Sequence, residues 1–196
     1  MRKLRVGVWL KVGYKPTEGG GYGYYTELIS ELGTYQFDNA EITFIHDNDN
    51  ITDTYLGKSK VIKINWKLGK PTFFYRLIKF ISKKIFGHKL LKDYIKKKEE
   101  NEKQVLYDEL YSYCDIVYYI VPGCKYPSFP YVYTLWDIGH LSSFSFPELV
   151  NNQNFESRKN HHDYLPNKAL MIFCESESGK NDAIRYLAIN PAKIRV

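Results

Sequence analysis

The run KLRVGVWLKVGYKPTEGGGYGYYTELISEL, Lys3 to Leu32, decides the fold of this chain. Its first part, Lys3 to Leu10, is a near-continuous apolar and β-branched stretch that reads as a buried strand. Four glycines then fall among the five residues Gly19 to Gly23, and the segment from Tyr22 to Tyr35 reads as a helix with Leu28, Ile29 and Leu32 on its inner face. Glycine reaches positive φ freely and lets a ligand or a second backbone come within contact distance. The cluster therefore marks a sharp turn or a binding loop.

The same alternation continues outward. EITFIHD (Glu41 to Asp47) and KVIKIN (Lys60 to Asn65) read as strands separated by the turn-prone NDNITD. NEKQVLYDELYSY (Asn101 to Tyr113) is expected to be helical, CDIVYYIVPG a strand and turn, YVYTLWDIG a strand ending in a loop, and FESRKNHHDY a helix. KALMIFCES supplies a last strand, and SESGKNDAIRYLAI a helix that Ser176 or Ser178 can cap. Strands and helices in turn, with several near-continuous apolar strands, predict an α/β fold: one Rossmann-like, doubly wound, mainly parallel sheet spanning residues 1–196.

Composition narrows the functional classes. With 44% apolar and 26% charged residues over 196 positions, the chain can bury a substantial core. It contains no apolar run of about 18 residues, and Lys11 breaks the short apolar N-terminal stretch, so neither a membrane span nor a signal peptide is expected. Cys114, Cys124 and Cys174 lack paired CxxC spacing and read as reduced core thiols, with no metal expected. From Lys67 to Lys103 there are 12 Lys or Arg against 4 Asp or Glu, an excess larger than the net charge of +6 for the whole chain. Within it, Phe73, Phe74, Leu77, Ile78, Phe80, Ile81, Ile85 and Phe86 fall at mostly helical spacing around Lys79, Lys83 and Lys84. This is either a core helix with a solvated lysine face or, across residues 73–98, a peripheral contact with an anionic membrane surface. No motif of a nucleic-acid binder accompanies the charge.

Ligands of such a sheet sit beyond the carboxyl ends of its strands, where four clusters fall: the glycines, Tyr119 to Cys124, Asp137 with His140, and Glu175 to Lys180. The dinucleotide fingerprint GxGxxG fails in both registers, ending on Tyr24 or Thr26, although Asp47 closes the second strand where a ribose-binding acid would stand. ESGKND is not a phosphate-binding P-loop, because Asn181 replaces the required Ser or Thr. No serine lies in GxSxG, and Cys124, Asp137 and His140 carry no hydrolase spacing. His161 and His162 are adjacent, so on a helix they diverge by about 100° rather than converge on a metal; one is expected to pack and the other to be solvated.

Three stretches together resemble the N-terminal, acceptor-side half of GT-B glycosyltransferases of family 4: EGGGYGYYTELISEL, YVYTLWDIGHLSSFSFPEL and KALMIFCESESGKNDAIRYLAINPAKIRV. The matching positions are the glycines, then Asp137, Gly139, His140, Phe146, Pro147 and Glu148, then Ser176 and Lys180. The section from about Leu68 to Lys103 matches nothing specific. The resemblance implies transfer of a sugar from a nucleotide-diphosphate donor, with retention, to a growing polysaccharide or glycolipid acceptor. It implies that Gly19, Gly20, Gly21, Tyr22 and Gly23 approach the donor diphosphate, that Asp137 is the catalytic group orienting an acceptor hydroxyl, and that His140, Arg158 and Lys180 join it in binding the acceptor. No cofactor or metal is implied, and the partners are the donor, the saccharide or lipid-linked acceptor and a C-terminal donor-binding domain. Lacking that second domain, the 196-residue chain is expected to transfer no sugar by itself. Trp136 stands where the family commonly has histidine, so no catalytic histidine is carried over. The expected location is the cytoplasm, with peripheral attachment to the cytoplasmic membrane face. Two other readings remain open: a stand-alone nucleotide-binding module using Asp47, and a non-catalytic membrane-associated adaptor.

Overall fold

The computed structural model describes residues 2–18, 21–48, 54–64, 100–101, 104–136, 138–142 and 154–196. Its strands are β1 (Leu4–Trp9), β2 (Ala40–His46), β3 (Thr54–Leu56), β4 (Ser59–Lys63), β5 (Ile116–Tyr119), β6 (Tyr131–Leu135), β7 (Met171–Cys174) and β8 (Ile194–Arg195). They form one sheet in the order β3-β4-β2-β1-β5-β6-β7-β8. Every pairing is parallel except β3 with β4. The chain thus winds outward from β1 in one direction through β2 and β4, then returns and winds the other way from β5 to β8. This is the doubly wound, Rossmann-like arrangement expected from the sequence, with its switch point between β1 and β5.

Side chains alternate across each strand, so each face needs its own cover. Helix α1 (Gly21–Thr34) covers one face, placing Tyr25 and Ile29 against Val8, Phe44 and Val61. On the other face, α2 (104–113) and α5 (Glu177–Leu187) bring Leu106, Leu110, Ala183 and Leu187 onto Val117, Tyr119, Tyr133 and Ile172. Helix α4 (Asn154–Lys168) is tied to the sheet by the Tyr131 hydroxyl, which donates to the Leu165 carbonyl. A one-turn helix, α3 (Gly139–Ser142), follows β6.

The structure adds β3 and β8 to the expected strands. Strand β3 forms a hairpin with β4 around Gly57 and Lys58, and Gly57 has φ +63°. The Lys58 amide donates to the Gly33 carbonyl at 2.7 Å, binding the hairpin to the end of α1. A Cβ on Gly33 would lie 2.8 Å from the Leu56 carbonyl oxygen. Gly33→Ala is therefore expected to cost about 1–3 kcal/mol through overpacking against backbone that cannot rotate away. A lower urea midpoint with an unchanged slope would register that loss.

Strand β5 is joined to β1 by charge as well as by its ladder. The Arg5 amide and guanidinium donate to the two Asp115 carboxylate oxygens at 3.0 and 2.8 Å, and the guanidinium also reaches the Ser112 and Tyr111 carbonyls at the end of α2. The hydrogen bond from the Arg5 guanidinium, the Arg5 amide and then Arg2 hold the Asp115 carboxyl well below the usual carboxylate range. A depressed folded-state pKa stabilises above the unfolded value of about 3.9 and ceases to do so as pH falls through the folded one. Asp115→Asn is thus expected to lower the urea midpoint at pH 7, and the gap from wild type should narrow as pH drops below about 4.

Candidate functional site

Beyond the carboxyl end of β1 the chain does not turn directly into α1. It passes through Lys11 to Lys15 and a 3-10 turn at Pro16–Glu18, and α1 begins at Gly21. Tyrosines brace this detour. The Lys11 amide donates to the Tyr25 hydroxyl at 2.9 Å, and the Tyr14 ring stands edge-on to Tyr22 and Tyr25 at 5.6 and 5.4 Å. The Lys11 ammonium lies 3.9 Å from the centre of the Tyr14 ring. Burial raises the Tyr25 pKa, so this phenol stays neutral while it accepts from Lys11.

Gly21, Tyr22 and Gly23 are the first turn of α1 rather than a loop, and none of the three has positive φ. Gly19 and Gly20 lie outside the described residues. Freedom of φ is therefore not what glycine supplies at position 21; clearance is. A Cβ there would sit 2.0 Å from Cζ3 and 2.1 Å from Cη2 of Trp136, whereas one on Gly23 would meet nothing within 4 Å. Amides of a helix's first turn have no intrahelical acceptor and point outward along the axis, which suits an anion.

Trp136 links this turn to the loop after β6. Its ring is also edge-on to Tyr24 at 6.3 Å. Asp137 follows immediately but lies outside the described residues, as do the side chains of His140 and Arg158; their backbones lie on α3 and α4. Helix α3 packs against α5, the helix of Lys180. Ser176 is the N-cap of α5, its hydroxyl accepting from the Gly179 amide at 3.1 Å, as the sequence allows. Lys180 is half-buried and pairs with Glu177 at 3.0 Å on its own helix. The structure thus brings the first turn of α1 to Trp136, and α3 to α5.

The acid at the end of β2 is already engaged. Asp47 forms an ion pair with Lys125 from the loop after β5, so the pair reaches across β1, whose Trp9 ring centre lies 5.6 Å from the Lys125 ammonium. The Trp9 ring in turn packs on Tyr119 and Tyr126. Aromatic side chains thus pack at the switch point where a nucleoside would need room. Lys125 was not foreseen; its lysine-aromatic sequence, Lys125-Tyr126, is too common to signal a role. A cleft of about 680 Å³ lies at the opposite, amino-terminal edge, lined among others by Lys3, Glu41, Lys58 and Lys60. It is lined by none of the candidate donor- or acceptor-binding residues.

The remaining nucleophiles are quiet. Cys114, Cys124 and Cys174 are free, and burial pushes their thiols up to about 12, about 11 and about 11, so none is a thiolate at neutral pH. His162 is buried. His161, expected to be solvated if its neighbour packed, is instead half-buried and shares a 2.7 Å hydrogen bond with the Tyr133 hydroxyl. Burial, then the neighbouring His162, lower the His161 pKa. A histidine with a depressed folded-state pKa costs stability once the unfolded chain begins to bind its proton, so the protein should weaken as pH falls below about 6.5. His161→Gln should flatten that part of a urea-midpoint titration.

Among the described residues no group of three His, Cys, Asp or Glu is placed to hold a metal ion, and no helix is long and apolar enough to cross a membrane. No protein-family model matches the chain, and no curated protein matches it in sequence.

Proposed function

We propose that this chain is the acceptor-side half of a retaining GT-B glycosyltransferase that passes a sugar from a nucleotide-diphosphate donor to a saccharide or lipid-linked acceptor. The observation that carries the reading is the seating of Trp136 on Gly21. It brings the start of α1 to Trp136, the residue just before Asp137 in sequence, at the carboxyl edge of a sheet with Rossmann strand order.

In this reading the first-turn amides of α1 face the donor diphosphate and help to hold the charge that develops on it as the glycosidic bond breaks. Asp137 orients the acceptor hydroxyl, with His140, Arg158 and Lys180 around the acceptor. Binding the two substrates in line accounts for most of the task, and the donor nucleotide is held by a second domain. The basic segment 73–98 keeps the protein at the membrane face where lipid-linked acceptors lie.

The test is a transfer assay in a protein carrying both halves, with nucleotide-diphosphate hexoses as donors and saccharide and lipid-linked acceptors. Asp137→Asn is expected to reduce kcat by about 10²–10⁴-fold with the melting temperature unchanged. A wild-type protein that turns over no donor, or an Asp137→Asn variant as active as wild type, would overturn the assignment.

A further inference from the structure

We propose that Trp136 is a positioning residue: its indole clamps the first turn of α1 to the carboxyl end of β6, and Gly21 is bare so that the clamp can close. For its purpose the clamp rests on the function proposed above, since that site needs the diphosphate and acceptor ends held at a fixed separation. The clamp itself rests on geometry alone.

The contact is closer than any side chain at position 21 permits. A Cβ there would lie 2.0, 2.1 and 2.9 Å from Cζ3, Cη2 and Cε3 of the indole, all on the six-membered ring. That ring therefore rests directly on the helix backbone, and Tyr24, one turn further along α1, closes its edge at an interplanar angle of 83°. The indole Nε1 lies on the other side of the ring system, buried and without a hydrogen-bond partner among the described residues. Among the described residues the ring meets α1 by packing, on Gly21 and edge-on to Tyr24. Position 136 immediately precedes Asp137. Adding a methyl group at 21 must displace either the indole or the helix start.

A clamp makes a sharp prediction about coupling, because two changes at one contact cannot add independently. The 196-residue chain is compared as wild type, Gly21→Ala, Trp136→Leu and the double variant. Alanine at 21 should lower the melting temperature by about 3 °C or more in the wild-type background and by less than about 1 °C in the Trp136→Leu background, where the ring is gone. A purely local role for glycine would not move the far side of the contact. In the wild-type background, Gly21→Ala should therefore shift the ¹⁵N–¹H amide resonances of Ile138 and Leu141, and in the Trp136→Leu background it should leave them in place. Equal losses in both backgrounds, with Ile138 and Leu141 unmoved, would overturn the clamp.

Inorganic pyrophosphate separates the clamp from the function it serves. Titrated into the wild-type chain, it should perturb the amides of Tyr22 to Tyr24, and Trp136→Leu should weaken that response. Coupling in the mutant cycle without any pyrophosphate response would uphold the clamp and sink the anion-site reading. A pyrophosphate response without coupling would do the reverse.

Discussion

Replacing Lys79, Lys83 and Lys84 with glutamate is expected to release this protein from anionic vesicles. The three lysines lie outside the described residues, so the expectation rests on sequence: they sit among Phe73, Phe74, Phe80 and Phe86 in the most basic part of the chain. Apolar surface and positive charge together make a surface anchor, whereas either alone binds weakly. Each basic residue near an anionic surface contributes about 1 kcal/mol, so removing three lowers the partition constant by about 10²-fold before the new negative charges repel. Because charge beyond about 8 Å is screened at physiological ionic strength, raising the salt should weaken wild-type binding as well. Co-sedimentation with phosphatidylserine-rich and neutral vesicles at two salt concentrations measures both effects. Equal retention of both proteins, or of neither, would identify the segment as a core helix with a solvated lysine face.

The largest loss of stability is expected at Phe44. This β2 side chain is fully buried beneath α1, packed with Val8, Ile29 and Val61. Phe44→Ala should cost about 3–5 kcal/mol through lost burial and the cavity left behind. That is a large share of the roughly 5–15 kcal/mol by which a domain is normally stable. The local consequence matters as much as the total, because α1 is seated on this core along its inner face. Its first-turn amides should exchange with deuterium faster than those of α5, which packs on the other face. A loss below about 1 kcal/mol in urea denaturation would show that something other than this core holds α1.

The fold was legible wherever the residues carry a period. The apolar strand before the glycines, the two β-branched strands after α1, and the Ser176 cap all fall within a residue or two of their observed places. Two strands were missed for different reasons. Strand β8 is two residues long, too short to show alternation. Strand β3 announced itself in Thr54–Leu56 followed by the two-residue Gly57-Lys58 turn, a hairpin signal that the adjoining NDNITD turn residues obscured.

The candidate site was legible as loops but not as contacts. Sequence singles out Gly21 and Asp137 as members of separate clusters. That residue 136 touches residue 21 depends on β6 lying two strands from β1, with β5 between them, a fact of topology rather than of local pattern. For the same reason, Lys125 could not be assigned to Asp47 before the order β2-β1-β5 was known. That one of the two adjacent histidines would be solvated does not hold, because His161 is half-buried against the Tyr133 hydroxyl while His162 is buried, a pairing that the sequence does not signal.

The central place of β1 also sets a clock. It precedes the other described strands along the chain, yet one of its neighbours, β5, does not begin until Ile116. At about 5–20 residues per second, a ribosome leaves that edge of β1 bare for roughly 5 to 20 seconds, while β2 and β4 can already be in place on the other side. An unpaired edge of apolar strand invites pairing with a neighbouring nascent chain. Such non-local pairing is also the slow part of assembly once both strands exist. Asp115, just ahead of β5 in sequence, accepts from the Arg5 guanidinium and amide once the two strands are paired. Chains altered at Arg5 or Asp115 should therefore be lost mainly to aggregation during synthesis, even where the finished fold tolerates the change.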